Sequence, residues 1–110
     1  MKLVIPSEVQ IGGNIIRIRH NEEAMRIADL RGQISLPEGI IRGAQGSAGR
    51  PRTTTQLFES ILHEITHAVD HLYMRELEER QVGALASGLT QALMSLGIEP
   101  DFSQIPEEEK

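Results

Sequence analysis

Two apolar stripes at helical spacing fill the second half of the chain and constrain its fold more than any other feature. The first stripe recurs every three or four positions and consists of Leu57, Ile61, Ile65, Ala68 and Leu72. Thr53 and Gln56 have the spacing of a capping box, so we predict a long amphipathic helix that starts at Thr53. The second stripe predicts another helix, closed by Gly97. Its members are Val82, Leu85, Ala86, Leu89, Ala92, Leu93 and Leu96.

The first half of the chain has the pattern of short strands. The strand-like segments are Glu8–Ile11, Ile15–Arg19, Gln33–Leu36 and Ile40–Arg42. A Gly-Gly-Asn turn joins the first two and predicts a β-hairpin. Asn21 is typical of an N-cap and predicts a short helix that runs to about Leu30. We therefore expect an α+β fold, in which a small sheet of three or four strands packs on two main helices.

Length and composition exclude several classes of protein. The 110 residues predict a single domain over residues 1–110, with a mobile loop at residues 43–52 and a frayed tail at residues 101–110. The net charge of -5 argues against a nucleic-acid partner, because binding phosphates requires a basic surface. The chain has no cysteine, which excludes disulfides and Cys-ligated zinc.

The distribution of apolar residues gives no sign of a membrane protein. No apolar run approaches the roughly 18 residues of a membrane span. The apolar run after Lys2 ends at Pro6 and is too short for a signal peptide. We expect a cytoplasmic protein with no membrane partner.

The first predicted helix carries an H-E-x-x-H motif formed by His63, Glu64 and His67. Residues four apart lie on one face of a helix, about 6 Å apart along its axis, so both imidazoles can face one ion. Glu64 lies beside the first histidine, where it can accept a proton from water. Imidazole and carboxylate ligands suit Zn²⁺, so zinc is the expected cofactor.

A catalytic zinc needs a third protein ligand, and the sequence leaves several candidates. His71 lies about 12 Å from His63 along a straight helix, too far to join both histidines on one ion. Tyr73 stands ten residues after His63, where some zinc proteases have a third histidine. Acidic residues at the start of the second helix remain, either as ligands or as a solvated helix N-terminus: Glu76, Glu78 and Glu79.

The segments His63–His71 and Glu79–Leu89 together resemble the small ImmA/IrrE-type metallopeptidases, minimal gluzincins that are common in phages and mobile elements. Members combine HExxH with a later helix of pattern E-x-x-A-x-x-F-A, whose Glu is the third zinc ligand. On that pattern Glu79 takes the ligand position, while Val82 and Leu85 replace the family's Ala and Phe. The resemblance spans most of residues 8–96 and implies a zincin-like fold with peptidase activity.

The zinc hypothesis requires a break between the two helices. In an unbroken helix Glu79 would lie about 18 Å from His67 along the axis and could not reach the same ion. Neither glycine nor proline occurs between Thr53 and Val82, whereas family members often have a glycine-containing turn. We therefore predict a break within residues 72–77.

Further residues have weaker assignments. Asp70 is placed to orient a ligand imidazole, or else to pair with Arg75 or solvent. His71 and Tyr73 are candidates for groups next to the ligands or facing substrate, and both, with His20, are candidates to stabilise an oxyanion. Gluzincins of this type bind peptide as an added strand, for which Ile15–Arg19 is the predicted edge.

Three hypotheses for function follow. In the first, the chain is a zinc metallopeptidase in which Glu64 activates water for attack on a peptide or protein substrate. In the second, it is a non-catalytic, metal-stabilised protein-interaction module derived from a metallopeptidase. The short length and the absence of an evident oxyanion group favour this module, whereas Glu64 argues against it, since a structural metal site needs no base. In the third, it is a hydrolase of a substrate other than a peptide.

Overall fold

A computed structural model describes residues 1–28, 30–47 and 50–109 and has the predicted α+β class. Its strands are β1 (Lys2–Val4), β2 (Glu8–Ile11), β3 (Asn14–His20), β4 (Gly32–Ser35), β5 (Ile40–Gly43), β6 (Gly46–Ser47), β7 (Arg50–Pro51) and β8 (Glu99–Asp101). Its helices are α1 (Glu22–Ala28), α2 (Thr54–Val69) and α3 (Glu79–Ser95), and a π-helical turn (Asp70–Met74) continues α2.

Four of the strands form a mixed sheet in the order β2-β3-β5-β4. The predicted hairpin is confirmed, because β2 and β3 pair antiparallel around the glycine turn. Helix α1 carries the chain across the sheet, so that β5 pairs parallel with β3 and antiparallel with β4.

This topology corrects the predicted peptide edge. The segment Ile15–Arg19 belongs to β3, which is paired on both sides, because the crossover through α1 lays β5 along it. Among the described strands of this sheet, β4 is the edge strand next to α2.

The core lies between this sheet and α2. Alternation along β3 turns Ile16, Ile18 and His20 inward and leaves Ile15 and Arg17 exposed. The apolar members of β3 pack with Ile41, Phe58 and Ala68, among others, in one buried cluster. Helix α2 thus packs against the sheet on one side and against α3 on the other.

The predicted mobile loop at residues 43–52 contains ordered structure, because β6 and β7 pair antiparallel within it. Residues 48 and 49 lie outside the described part. Arg52, at the end of this segment, is half-buried and donates to the carbonyl oxygens of Arg31, Ala44 and Gln56 and to the Ser60 hydroxyl. The acceptors come from segments that meet only in the folded chain. Their hydrogen bonds with Arg52 hold the end of the loop against α2.

The expectation of a frayed tail is wrong for residues 101–109. Strand β8 pairs parallel with β1, and Ile105 is only 7% exposed within the core cluster. The Glu108 carboxylate accepts from Arg42 at 2.7 and 2.9 Å and from Asn21 at 2.7 Å. The acidic run therefore contains one residue with a specific partner on β5, which composition alone does not reveal.

No helix in the described part of the chain has the length and apolar character that crossing a membrane requires.

Candidate metal centre

Helix α2 places both histidines of the HExxH motif on one face. The predicted capping box starts the helix, since the Thr53 hydroxyl accepts from the Gln56 backbone and the Gln56 side chain accepts from the Thr53 backbone. The imidazole rings of His63 and His67 lie side by side, with centroids 4.9 Å apart and planes inclined at 67°. Their Nε2 atoms both face the start of α3.

A reversal of the chain between α2 and α3 supplies the break that the metal hypothesis requires. Arg75 ends the π-helical turn in the left-handed region with φ 58°, a conformation that costs a residue other than glycine some free energy. The Asp70 carboxylate accepts from the backbone N–H groups of Glu76 and Leu77, both at 3.0 Å. The predicted break at residues 72–77 is confirmed, and a carboxylate clamp with a left-handed arginine takes the place of the expected glycine.

The reversal brings Glu79 to the two histidines. Glu79 Oε1 lies 2.6 Å from His63 Nε2, and Glu79 Oε2 lies 2.8 Å from His67 Nε2. The other two acidic candidates are placed differently. Glu78 is the N-cap of α3, and its backbone N–H donates to Gln81 at 2.8 Å; Glu76 lies in the link with an exposed side chain. In the described residues, His63, His67 and Glu79 are thus the group that meets at metal-binding distance, with ligand atoms within 4.8 Å of one another.

The donor set and its geometry fit a divalent transition metal. Two imidazole nitrogens and a carboxylate oxygen suit such ions. Tetrahedral coordination at about 2.0–2.1 Å would require ligand atoms about 3.3 Å apart. The two Glu79–imidazole contacts, at 2.6 and 2.8 Å, are shorter than this, and all three ligand atoms lie within 4.8 Å of one another. The Glu79 side chain is 70% exposed, so the group opens to solvent on the side away from α2.

Glu64 is buried beside this group. It is 8% exposed and packs against Gly32 of β4, where a Cβ would lie 3.5 Å from Glu64 Cγ. Burial raises the pKa of Glu64 to about 7; the charge of His67 opposes this shift, and that of Glu79 adds to it. A carboxyl group with a pKa near neutrality can both accept and release a proton under working conditions.

An open cleft of about 750 Å³ lies over the group. Its walls carry the HExxH residues, Glu79, Glu59, Gly32 and two arginines that sequence reasoning did not single out, Arg31 and Arg52. A second depression of about 500 Å³ lies on the other side of His67, between β4 and residues 70–71. The edge strand β4 borders both, with Gly32 in the first and Gln33–Ser35 in the second.

The weaker candidates lie outside the His63/His67/Glu79 group. Asp70 holds the chain reversal, and no contact with a ligand imidazole is among its described bonds. Tyr73 is 67% exposed, and its hydroxyl lies near Gly12 in the hairpin turn, outside the cleft lining. His71 is exposed in the second depression beside His67. His20 is buried at the end of β3 and does not line the cleft.

No protein-family model, curated protein or solved structure matches this chain. The features that point to a function are therefore the geometry of the group and the sequence motif.

Proposed function

We propose that the chain is a zinc-dependent peptidase of the minimal gluzincin type, in which His63, His67 and Glu79 hold the ion and Glu64 is the catalytic base. The convergence of Glu79 on two histidines from a different helix carries this proposal, because the downstream glutamate is what the resemblance to ImmA/IrrE-type peptidases requires. When bound, zinc polarises a carbonyl group and makes water more acidic.

The roles of the chain's own residues follow from their positions. Glu64 lies next to His63 in sequence and lines the cleft, so it can accept a proton from a water molecule there and deliver it to the leaving amine. Its burial against Gly32 restricts the side chain at the wall of the cleft. A purely structural metal site would have no use for a buried carboxylate in this position.

Strand β4 supports a peptide as substrate. Its free edge borders both the cleft and the second depression, and His67 lines both. An extended peptide that pairs with β4 would pass across the His63/His67/Glu79 group, with backbone hydrogen bonds to the strand. The side of β4 that faces β5 is already paired, which leaves this one edge for a substrate.

The test combines metal analysis with peptide cleavage for three proteins: the native chain, Glu64→Gln and Glu59→Gln. Glu59 is a matched control, because it is a carboxylate on the same helix and in the same cleft but accepts from Ser87 and does not join the metal group. We expect one zinc per chain in all three proteins. The native chain and Glu59→Gln should cleave a mixed peptide library at similar rates, whereas the rate for Glu64→Gln should be lower by at least about 100-fold.

Two outcomes would contradict the proposal. Wild-type cleavage by Glu64→Gln would remove its proposed role as base. One zinc per chain without cleavage by the native protein would instead favour the non-catalytic interaction module. A second pair of variants tests the ligand set: Glu79→Ala should lose the zinc, and Glu78→Ala should retain it.

A further inference from the structure

Three residues in register across the sheet form a row: His20, Gly43 and Gly32. The row leads from His20 to the side of Glu64 that packs against Gly32. His20 of β3 pairs with Gly43 of β5, and Gly43 pairs with Gly32 of β4. Paired residues on neighbouring strands project to the same face, about 4.8 Å apart. His20 therefore projects to the face on which Glu64 packs against Gly32, with the space above Gly43 between them.

The middle position of this row is open. A Cβ added at Gly43 would meet nothing within 4 Å, whereas one at Gly32 would lie 3.6 Å from Glu64 Oε1. A cavity of about 20 Å³ lies here, and its lining includes His20, Gly43 and Glu64. Glu64 thus lines both this small cavity and the open cleft over the candidate metal group.

The ring nitrogens of His20 are buried and unsatisfied among the described residues. The residue is 5% exposed, and neither Nδ1 nor Nε2 has a partner among the described residues. A neutral imidazole has one donor and one acceptor nitrogen, and leaving both unpaired in the interior is costly. Burial lowers the pKa of His20, against the carboxylates of Glu107 and Glu22, which favours the neutral form of the ring.

We propose that a water molecule occupies the cavity over Gly43 and bridges the His20 ring to the Glu64 carboxylate, which makes His20 a positioning residue for the base. A cavity of this volume is large enough, since one water needs roughly 10–15 Å³ of such space. The site is also polar enough, because an imidazole nitrogen and a carboxylate oxygen supply two partners for the water. The water site rests on the cavity and on the unpaired His20 nitrogens, whereas the positioning role depends on the proposed peptidase function.

Gly43→Ala tests the water directly. Because its methyl group would enter open space, the variant should fold while the methyl displaces the water. Gly13→Ala is the matched control, since a Cβ there also meets nothing within 4 Å but lies in the exposed hairpin turn. We expect high-resolution crystal structures to show a water within hydrogen-bond distance of His20 and Glu64 in the native protein and in Gly13→Ala, but not in Gly43→Ala. A native cavity without this water would overturn the proposal.

Kinetics test the positioning role. We expect Gly43→Ala and His20→Phe to lower kcat about 10-fold with KM and zinc content unchanged. His20→Gln should recover part of kcat, because its amide can bond to the water. Wild-type kcat in both of the first two variants, or a loss of zinc that accompanies the loss of kcat, would overturn the role of His20. If the native protein cleaves no peptide, the peptidase proposal fails, while the crystal structures still decide whether the water is present.

Discussion

Replacing Asp70 with alanine removes the carboxylate that holds the reversal between α2 and α3. That carboxylate accepts two backbone hydrogen bonds of 3.0 Å, from Glu76 and Leu77. Each such bond in a partly exposed site contributes about 1 kcal/mol, so the pair contributes about 2 kcal/mol. The link leads directly to Glu79, and we expect most of this loss to appear as weaker metal binding, up to about 30-fold, since 1.4 kcal/mol corresponds to tenfold.

Two further variants separate the clamp from the general effect of changing a charge. Asp70→Asn retains a carbonyl oxygen that can accept both bonds, so it should keep most of the zinc affinity. Glu76→Ala removes a neighbouring exposed carboxylate and leaves the backbone bonds to Asp70 in place. Zinc affinity is measured by competition with a chromogenic chelator, and the free energy of unfolding of the metal-free protein by urea titration.

Two results would contradict this role of the Asp70 carboxylate. Native affinity and native stability in Asp70→Ala would refute it, because the reversal would then form without the two bonds. An equal loss in Asp70→Asn and Asp70→Ala would show that the charge of Asp70, and not its position as an acceptor, is what matters.

Three other predictions concern stability. Glu108→Gln should lower the free energy of unfolding by about 1 kcal/mol, because its partly exposed pair with Arg42 is weakened, while Glu109→Gln in the same tail should not. The pKa of Glu108 is lowered to about 2, chiefly by the Arg42 hydrogen bond, so this difference in urea unfolding should be present above about pH 4.5 and disappear as the pH falls toward 2. Arg75→Gly should raise the unfolding free energy by about 0.5–1 kcal/mol, because glycine adopts the left-handed conformation without strain; a lower value in urea titration would contradict this. The raised pKa of Glu64 means that the folded metal-free protein binds the proton more tightly than the unfolded chain. The Tm of the metal-free protein should therefore fall as the pH rises from about 4.5 through 7. If the Tm of Glu64→Gln falls in the same way over that pH range, another group is responsible.

The parts of the fold that depend on local pattern were predictable from the sequence. The Thr53 capping box, the glycine hairpin and the apolar stripe of α2 each require only residues within a few positions of one another. The break before Glu79 was also predictable, although no glycine or proline marks it, because the hypothesis of a metal site with ligands from both helices excludes an unbroken helix. The sequence did not predict how the break forms. The Asp70 hydrogen bonds depend on Arg75 in the left-handed region, and no local sequence pattern indicates that conformation.

The features that were missed depend on contacts between distant segments. Arg52 and Glu108 lie in stretches whose composition suggests mobility, yet each finds partners from other elements. The edge strand was misplaced for the same reason, because whether β3 is covered depends on where the crossover through α1 returns the chain. The His20–Gly43–Gly32 row is likewise invisible in the sequence, where its members are separated by eleven residues or more.

The packing between α2 and α3 explains how so small a chain can position an exposed glutamate. Glu79 has a mostly exposed side chain, so its location depends on the helix that carries it. That helix is anchored three and seven residues later by Val82 and Ala86, which are fully buried. Helix α3 packs mainly on α2, so a larger residue at Ala86 would push α3 away from both histidines. The same core contact that stabilises the helix pair therefore sets the spacing of the candidate metal ligands, which is why fold and site cannot be altered independently here.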